Sequence, residues 1–239
     1  MTLLKPEIFL SPESRTKYIL QLLKMDGLSG LQEDPLAAYC AVSLTNTPKI
    51  AKAFVAARQE TLKYILTAAG ISSYDPGTAP GSPDLGLTIG PDEIYKTDIS
   101  RVASARFFTV FDTFPSTGVG VEIEAARRYN RIPVIFHDEA IRTSRMQPDC
   151  TIHLNIADLQ KQTDRVVEMF KLLKEYEPGR GLYDNRPVLL GFKNLEVVVL
   201  THLISAEFPD LVYTFDGTKP ALLFGLENHD VLTRTPDEV

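Results

Sequence analysis

The sequence predicts an α/β fold: a doubly wound parallel sheet, Rossmann-like or flavodoxin-like, with helices on both faces. Short apolar runs that favour strands alternate with helical segments between residues 39 and 176. This is the pattern of consecutive strand–helix units in a parallel sheet. The chain has 239 residues, of which 44% are hydrophobic and 23% charged, so it is long and apolar enough to bury the core of such a domain.

The predicted strands are segments rich in β-branched and aromatic residues and bounded by turn residues. The first two cover residues 39–45 and, more briefly, residues 71–74. The other three are expected at residues 107–111, 132–136 and 150–154. Doubly wound sheets bind ligands beyond the carboxyl ends of their strands, so functional residues are expected just after these segments.

Start and stop signals predict the helices. Ser11 as N-cap, with Pro12 at the first position, begins a helix that ends at Gly27. A long helix begins near Asn46 and is terminated by Gly70. Further helices are expected at residues 91–105, after Ser116, and at residues 157–176.

This pattern divides the chain into three regions. An N-terminal helical arm (1–38) precedes the α/β domain (39–176), and a C-terminal α/β extension of unassigned role covers residues 177–239. Within the extension, two segments favour strands and a third is compatible with a helix or a β-branched strand: residues 211–215, 221–226 and 196–203, respectively. A Pro/Gly-rich loop begins at Asp75, and long loops in compact domains are usually functional or mobile.

Composition and charge exclude several classes of function. The net charge is −6 and no Lys/Arg stripe is present, which argues against a nucleic-acid polymer as partner. Cys40 and Cys150 lie far apart in apolar runs and the four histidines are scattered, so we expect buried free thiols, no metal site and no cofactor. The chain shows neither a signal-peptide pattern nor an apolar run of about 20 residues, so we expect a cytoplasmic protein without a membrane partner.

The most informative stretch is Pro115-Ser-Thr-Gly-Val-Gly-Val-Glu122, between a buried strand and a helix. Gly118 and Gly120 would let a ligand approach the backbone closely because they have no Cβ. The helix start offers unpaired N–H groups that suit an anion. Glu122 is then placed where a carboxylate could reach the ligand.

Each of these residues also has a purely structural explanation. Glu122, expected in the first helical turn, could complement the helix dipole, and Ser116 or Thr117 could be a simple N-cap. Asp98, on the preceding helix, could be a surface acid, and Ser144 could belong to an ordinary polar loop. Their combination at these separations is what favours a functional site.

Residues 115–126, preceded by the Asp98 helix and an apolar strand, resemble the nucleoside 2-deoxyribosyltransferase superfamily. The Pro-Ser-x-Gly-Val-Gly-x-Glu form is most similar to that of the 2′-deoxynucleoside 5′-phosphate N-hydrolases. The resemblance covers roughly residues 39–176. It implies that Glu122 is the nucleophile at the anomeric carbon and that Asp98 assists the chemistry.

The resemblance also implies a set of substrate-binding residues and an assembly. Ser116 stands where the transferases have an Asp, and a serine favours a nucleoside monophosphate because it does not repel a phosphate. A later serine of the hydrolases, matched loosely by Ser144, reaches the neighbouring subunit, so we expect a homodimer or a higher homo-oligomer. The resemblance matches Ser116 and Gly118 to the 5′-phosphate pocket. Together with Ser144, the further substrate-binding candidates are Thr117 and Gly120 in the same motif and Ser43 at the end of the first strand, where the family's glycine is missing.

Three functions remain open. The first is cleavage of the N-glycosidic bond of a (deoxy)nucleoside or its 5′-monophosphate through a glycosyl-Glu122 intermediate. The second is transfer of the 2-deoxyribosyl group to another base. The third is a non-catalytic nucleotide-binding sensor, against which the presence of both Asp98 and Glu122 argues. The loop at residues 75–91 is a candidate cover for the base.

Overall fold

The computed structural model describes residues 12–44, 47–79, 89–111, 114–137, 152–155 and 159–175, together with Phe208. The described strands are β1 (Asp34–Ala41), β2 (Ser72–Tyr74), β3 (Ala105–Phe111), β4 (Ile132–His137) and β5 (Ile152–Asn155). All four strand pairings are parallel, and the order across the sheet is β2-β1-β3-β4-β5. This doubly wound arrangement confirms the predicted fold class.

The described helices are α1 (Pro12–Met25), α2 (Lys52–Ala68), α3 (Pro91–Ser104), α4 (Thr117–Arg128) and α5 (Leu159–Glu175). Gly27 and Gly70 follow α1 and α2 with φ of 74° each, a conformation that glycine adopts without strain, so both predicted stops are confirmed. The start of α2 differs from the prediction, because a 3-10 turn (Lys49–Ala51) precedes it and no side chain caps it.

Helices cover both faces of the sheet. On one face, which we call the α2/α5 layer, a cluster of apolar side chains joins the sheet to α2 and α5, including Cys40, Phe107, Leu62, Ile65 and Phe170. On the other face, the α1/α3/α4 layer, the buried cluster includes Tyr39, Phe108, Leu22, Val102 and Ile123. The alternation of side chains along β1 and β3 sends neighbouring residues to opposite layers.

Strand β1 and helix α1 correct the predicted N-terminal boundary. The strand runs from Asp34 to Ala41 rather than over residues 39–45, so a boundary at residue 38 would cut it. An Asp-Pro pair usually marks a turn, but proline is tolerated near the start of a strand. Ile19, Leu22 and Leu23 of α1 are buried in the α1/α3/α4 layer. The described part of the arm therefore packs on the domain instead of standing apart from it.

The C-terminal extension is represented by Phe208. This ring packs against the α2/α5 layer, and the Arg165 guanidinium of α5 lies 5.7 Å from its centroid. The predicted segments at residues 196–203, 211–215 and 221–226 lie outside the described residues, as does Cys150. None of the helices in the described ranges is long and apolar enough to cross a bilayer.

Candidate active site

The start of α4 sets the position of Glu122. Ser116 has the extended N-cap conformation, and its Oγ accepts a hydrogen bond from the Val119 N–H at 3.4 Å, which confirms the predicted cap. The helix begins at Thr117, so Gly118 and Gly120 lie inside its first turn rather than in a turn before it. Glu122 consequently lies in the second turn, not in the first as predicted.

This position weakens the explanation of Glu122 as a dipole-complementing residue, because that effect is confined to the first helical turn. Glu122 instead turns towards the sheet, and its Oε1 accepts a hydrogen bond from the Tyr39 hydroxyl at 2.8 Å. Glu124, two positions further on, is exposed and forms an ion pair with Arg127. The two glutamates therefore point to different sides of the helix.

Tyr39 is a site residue that the sequence analysis did not identify. Its side chain is completely buried in the middle of β1, between the rings of Tyr74 and Phe108, with centroids 5.6 and 5.9 Å away. A tyrosine within an apolar strand indicates a buried hydroxyl that needs a hydrogen-bond partner, and this signal is present in the sequence. The strand sequence does not reveal that the partner is Glu122, 83 residues away on α4.

Asp98 lies on α3, close to the same hydroxyl. Its side chain is half-buried, and burial raises the pKa of Asp98 above its ordinary value, while the nearby Tyr39 hydroxyl opposes this shift because it favours the charged form. The structure thus brings Asp98 and Glu122, from adjacent helices, together at the hydroxyl of Tyr39.

The two carboxyl groups influence each other. Burial raises the pKa of Glu122 to about 8, and the negative charge of Asp98 adds to this effect, while the Tyr39 hydrogen bond opposes it. The pKa of Tyr39 is itself raised by burial and then by the charges of Glu122 and Asp98, so its hydroxyl remains protonated and can donate. Such an environment is typical of groups that exchange protons near neutral pH.

The second oxygen of Glu122 is available for chemistry. Oε2 is buried and has no hydrogen-bond partner among the described residues, whereas Oε1 is held by Tyr39. A buried carboxylate oxygen without a partner is costly for stability. The arrangement can therefore orient one oxygen and offer the other to an electrophilic carbon.

The N-terminus of α4 is open to solvent. Thr117, Gly118 and Gly120 are exposed. A Cβ added at Gly120 would meet no atom within 4 Å, and one added at Gly118 would meet only Ser116 Oγ, at 3.7 Å. Neither contacts with the described residues nor a positive φ requires glycine at these two positions, and the backbone at the helix start is left open to close approach.

Ser43 lies in a cavity of about 220 Å³ at the carboxyl ends of β1 and β2, beside α2. It is 7% exposed, its Oγ has no partner among the described residues, and its carbonyl accepts from Thr47 Oγ1. Asp75 is anchored in the wall by the Gly77 N–H at 2.8 Å and by Lys63 at 3.2 Å. The walls also include apolar side chains: Val42, Leu44, Val55 and Ala56.

Two predicted elements fall outside this description. Ser144 and residues 80–88, the larger part of the Pro/Gly-rich loop, are not among the described residues. In the ranges that are described, no group of three or more His, Cys, Asp or Glu side chains could hold a metal ion. The site that the structure assembles therefore consists of Tyr39, Asp98 and Glu122, with Ser116 at the start of α4.

No protein-family model and no curated protein sequence matches the chain. Among solved structures, a CMP N-glycosidase, BcmB, of Clostridium botulinum aligns with a TM-score of 0.42 and 15% identity, over 54% of this chain and 97% of the other. A conserved protein of Enterococcus faecalis aligns with a TM-score of 0.37 and 16% identity, over 70% of this chain and 86% of the other. Both likenesses are remote.

Proposed function

We propose that the protein cleaves the N-glycosidic bond of a (deoxy)nucleoside or its 5′-monophosphate through a covalent glycosyl intermediate on Glu122. The observation that carries this proposal is the convergence of two carboxyl groups on one buried tyrosine hydroxyl. Oε1 of Glu122 is bonded to Tyr39, and Oε2 has no partner in the described part of the chain. Most enzymes that cleave glycosidic bonds use a pair of carboxyl groups in distinct environments.

In the first step, Oε2 of Glu122 attacks the anomeric carbon and the bond from that carbon to the base nitrogen breaks. The base leaves with the electron pair of this bond, and Asp98 donates the proton that it requires. A pair that holds one proton supplies both functions, because Glu122 must be ionised and Asp98 protonated. Burial raises the pKa of Glu122 to about 8 and also raises that of Asp98. At neutral pH the proton of the free site therefore lies mainly on Glu122, and the reactive form is the one in which it has moved to Asp98.

In the second step, water attacks the anomeric carbon, and Asp98 accepts a proton from it. The ester bond to Glu122 breaks, which regenerates the carboxylate and releases the sugar with a hydroxyl group. If a second base attacks in place of water, the same intermediate gives a transferase. The choice between hydrolysis and transfer therefore depends on which nucleophile reaches the intermediate, and both reactions use the same residues.

The substrate would lie between two polar ends of the site. The N-cap Ser116, with Thr117, Gly118 and Gly120 at the open start of α4, suits a 5′-phosphate, because helix N–H groups and a hydroxyl favour an anion. Ser43 and the cavity beside it lie at the carboxyl ends of β1 and β2, on the α2 side of the sheet, and the walls combine apolar side chains with polar and charged ones, including Gln59 and Glu60. Such a lining suits a ring with hydrogen-bonding edges. We assign this cavity to the base.

The test is chromatography of free base released from a panel of ribo- and deoxynucleosides and their monophosphates. Glu122→Ala is compared with Glu124→Ala, which changes an exposed glutamate on the same helix. We expect base release by the wild type and Glu124→Ala, and none by Glu122→Ala. A second base, present in half of the reactions, would yield a new nucleoside if the protein is a transferase.

A nucleotide-binding sensor is the competing function from another class. It predicts that nucleotides bind with no base released over hours, and that Glu122→Ala binds at least as well as the wild type. That result would exclude the proposed reaction. The expected homo-oligomer and the contribution of Ser144 remain predictions, and light scattering of the active protein would test the former.

A further inference from the structure

Three aromatic rings from neighbouring strands form a stack within the α1/α3/α4 layer. Tyr39 of β1 is the register partner of Tyr74 on β2 and of Phe108 on β3. The Tyr39 ring is inclined by 28° to that of Tyr74 and by 9° to that of Phe108, at centroid distances of 5.6 and 5.9 Å. Offset stacking at these distances is attractive and restricts the orientation of the central ring.

Tyr74 also contacts the helix that carries Asp98. The Arg101 guanidinium lies 5.0 Å from the centroid of the Tyr74 ring. Arg101 follows Asp98 by three positions on α3, so both side chains lie on the same side of that helix. The Tyr74 ring is thus in contact with the residue that binds Glu122 and with a neighbour of the second carboxyl group.

The environment of Tyr74 does not by itself require an aromatic residue. Tyr74 is half-buried at the end of β2, an outer strand of the described sheet only three residues long. The charges of Asp98, Arg101 and Glu122 influence Tyr74 through space, and no hydrogen bond from another described residue to its hydroxyl contributes. Its position against Tyr39 is what distinguishes it from an ordinary edge residue.

On the proposed function above, we infer that Tyr74 is a positioning residue: its ring holds Tyr39 in the orientation that binds Oε1 of Glu122. Tyr39 is confined on its other side by Phe108, which belongs to the buried core. Of the two rings that flank Tyr39, that of Tyr74 is therefore the partly exposed one. Without its ring, Tyr39 can tilt towards β2, and the hydroxyl moves away from Glu122.

The experiment is a double-mutant cycle with a conservative control. Tyr74→Phe keeps the ring, Tyr74→Leu replaces it with a flexible apolar side chain, and Tyr39→Phe removes the hydroxyl. We expect Tyr74→Phe to match the wild type, and Tyr74→Leu to lower kcat about tenfold with little change in KM, as for the loss of one hydrogen bond to a charged group. In the Tyr39→Phe background, Tyr74→Leu should lower kcat no further. Additive losses, or an equal loss in Tyr74→Phe, would overturn the inference.

A second measurement does not depend on turnover. The ¹³C chemical shift of the Glu122 carboxyl carbon, assigned with Glu122→Gln, is followed as a function of pH in the same variants. Tyr39→Phe should raise the pKa of Glu122 because it removes a hydrogen bond that favours the carboxylate. Tyr74→Leu should also raise the pKa of Glu122, whereas Tyr74→Phe should leave it unchanged. The double variant Tyr39→Phe/Tyr74→Leu should have the same Glu122 pKa as Tyr39→Phe alone. An unchanged pKa in Tyr74→Leu would contradict the inference.

These two measurements separate the inference from the proposed function. If the wild type releases no base, the proposed reaction fails, and the titration of Glu122 still decides whether Tyr74 positions Tyr39. If base release depends on Glu122 but the cycle is additive, the reaction stands and the role of Tyr74 is excluded. Thermal melting of each variant shows whether the fold has been kept.

Discussion

Tyr39 and Cys40 are neighbours on β1 and are both fully buried, yet they belong to regions of opposite character. Cys40 points into the α2/α5 layer, where Thr109 Oγ1 donates to its sulfur at 3.4 Å and burial raises its pKa to about 12. It is a free thiol, as predicted, and a largely protonated one. Tyr39 points into the α1/α3/α4 layer and holds a carboxylate.

The difference shows that the two faces of β1 contribute differently: one mainly to the stability of the fold, and the other also to the candidate active site. The α2/α5 layer buries rings and aliphatic side chains, including Phe107, Phe136 and Phe170, and its burial is favourable throughout. The other layer has a comparable apolar cluster but adds two carboxyl groups whose charged forms burial disfavours. Substitutions in the first layer should therefore act on stability, and those around Glu122 on activity and on the response to pH.

The largest effect on stability is expected from Phe107→Ala in the α2/α5 layer. Phe107 is fully buried and meets Phe170 edge-on at 5.9 Å, so the truncation should cost about 3–5 kcal/mol in the free energy of unfolding, measured in urea. The kcat per folded molecule should not change. Phe108→Ala, one position along and on the other face, should lower both quantities because Phe108 stacks on Tyr39. Equal effects of the two variants on kcat would break the distinction between the layers.

The next effect is a gain in stability from Glu122→Gln that depends on pH. The pKa of Glu122 in the folded protein, about 8, lies above its ordinary value of 4.5. Below pH 4.5 both states are protonated, so the variant should match the wild type. As pH rises from 4.5 towards 8, ionisation favours the unfolded wild type, and the variant should become more stable by on the order of 4 kcal/mol.

Thermal or urea unfolding at pH 4 and pH 8 measures this gain. Glu124→Gln is the matched control. It should change the free energy of unfolding only slightly, and by the same amount at both pH values. If the free energies of unfolding of Glu122→Gln and the wild type differ by the same amount at both pH values, burial does not raise the pKa of Glu122.

A smaller effect, confined to activity, is expected from Tyr39→Phe. The ring and its stacking remain, and only the hydrogen bond to Glu122 is lost, so kcat should fall about tenfold. The acidic limb of the pH profile of kcat/KM should move to higher pH, because the lost hydrogen bond favours the ionised carboxyl group. A profile identical to that of the wild type would exclude Tyr39 from the control of Glu122.

The smallest effect is expected from Glu124→Gln. Glu124 is exposed and forms an i, i+3 ion pair with Arg127, a type of contact worth about 0.5 kcal/mol or less. Base release should be unchanged. A large loss of activity in this variant would mean that the two faces of α4 are not as distinct as the structure indicates.

The sequence predicted those parts of the fold that depend on local signals. Ser116 caps α4, and Gly27 and Gly70 end their helices, because each needs only neighbouring residues to do so. The pairing of Glu122 with Tyr39 could not be predicted in this way. It joins residues 83 positions apart, and only the packing of α4 on the sheet brings them together.

At two other places the structure differs from the prediction because contacts outweigh a local conformational preference. Gly118 and Gly120 favoured a turn, because each glycine costs a helix interior about 1 kcal/mol, but the Ser116 cap begins the helix before them. The first strand was predicted from residue 39, yet β1 begins with Asp34 and Pro35, a pair that locally favours a turn, beside Ala105 of β3. In each case a correct local preference was outweighed by contacts elsewhere in the chain.

The stacked tyrosines give the site an optical signature. The chain contains nine tyrosines and no tryptophan, so its near-ultraviolet spectrum arises mainly from phenol rings. Tyr39 and Tyr74 are held in a fixed, chiral arrangement, and one of them donates to an ionisable carboxyl group. Near-ultraviolet circular dichroism and tyrosine emission should therefore follow the protonation of Glu122 and the arrival of a ligand without any added label.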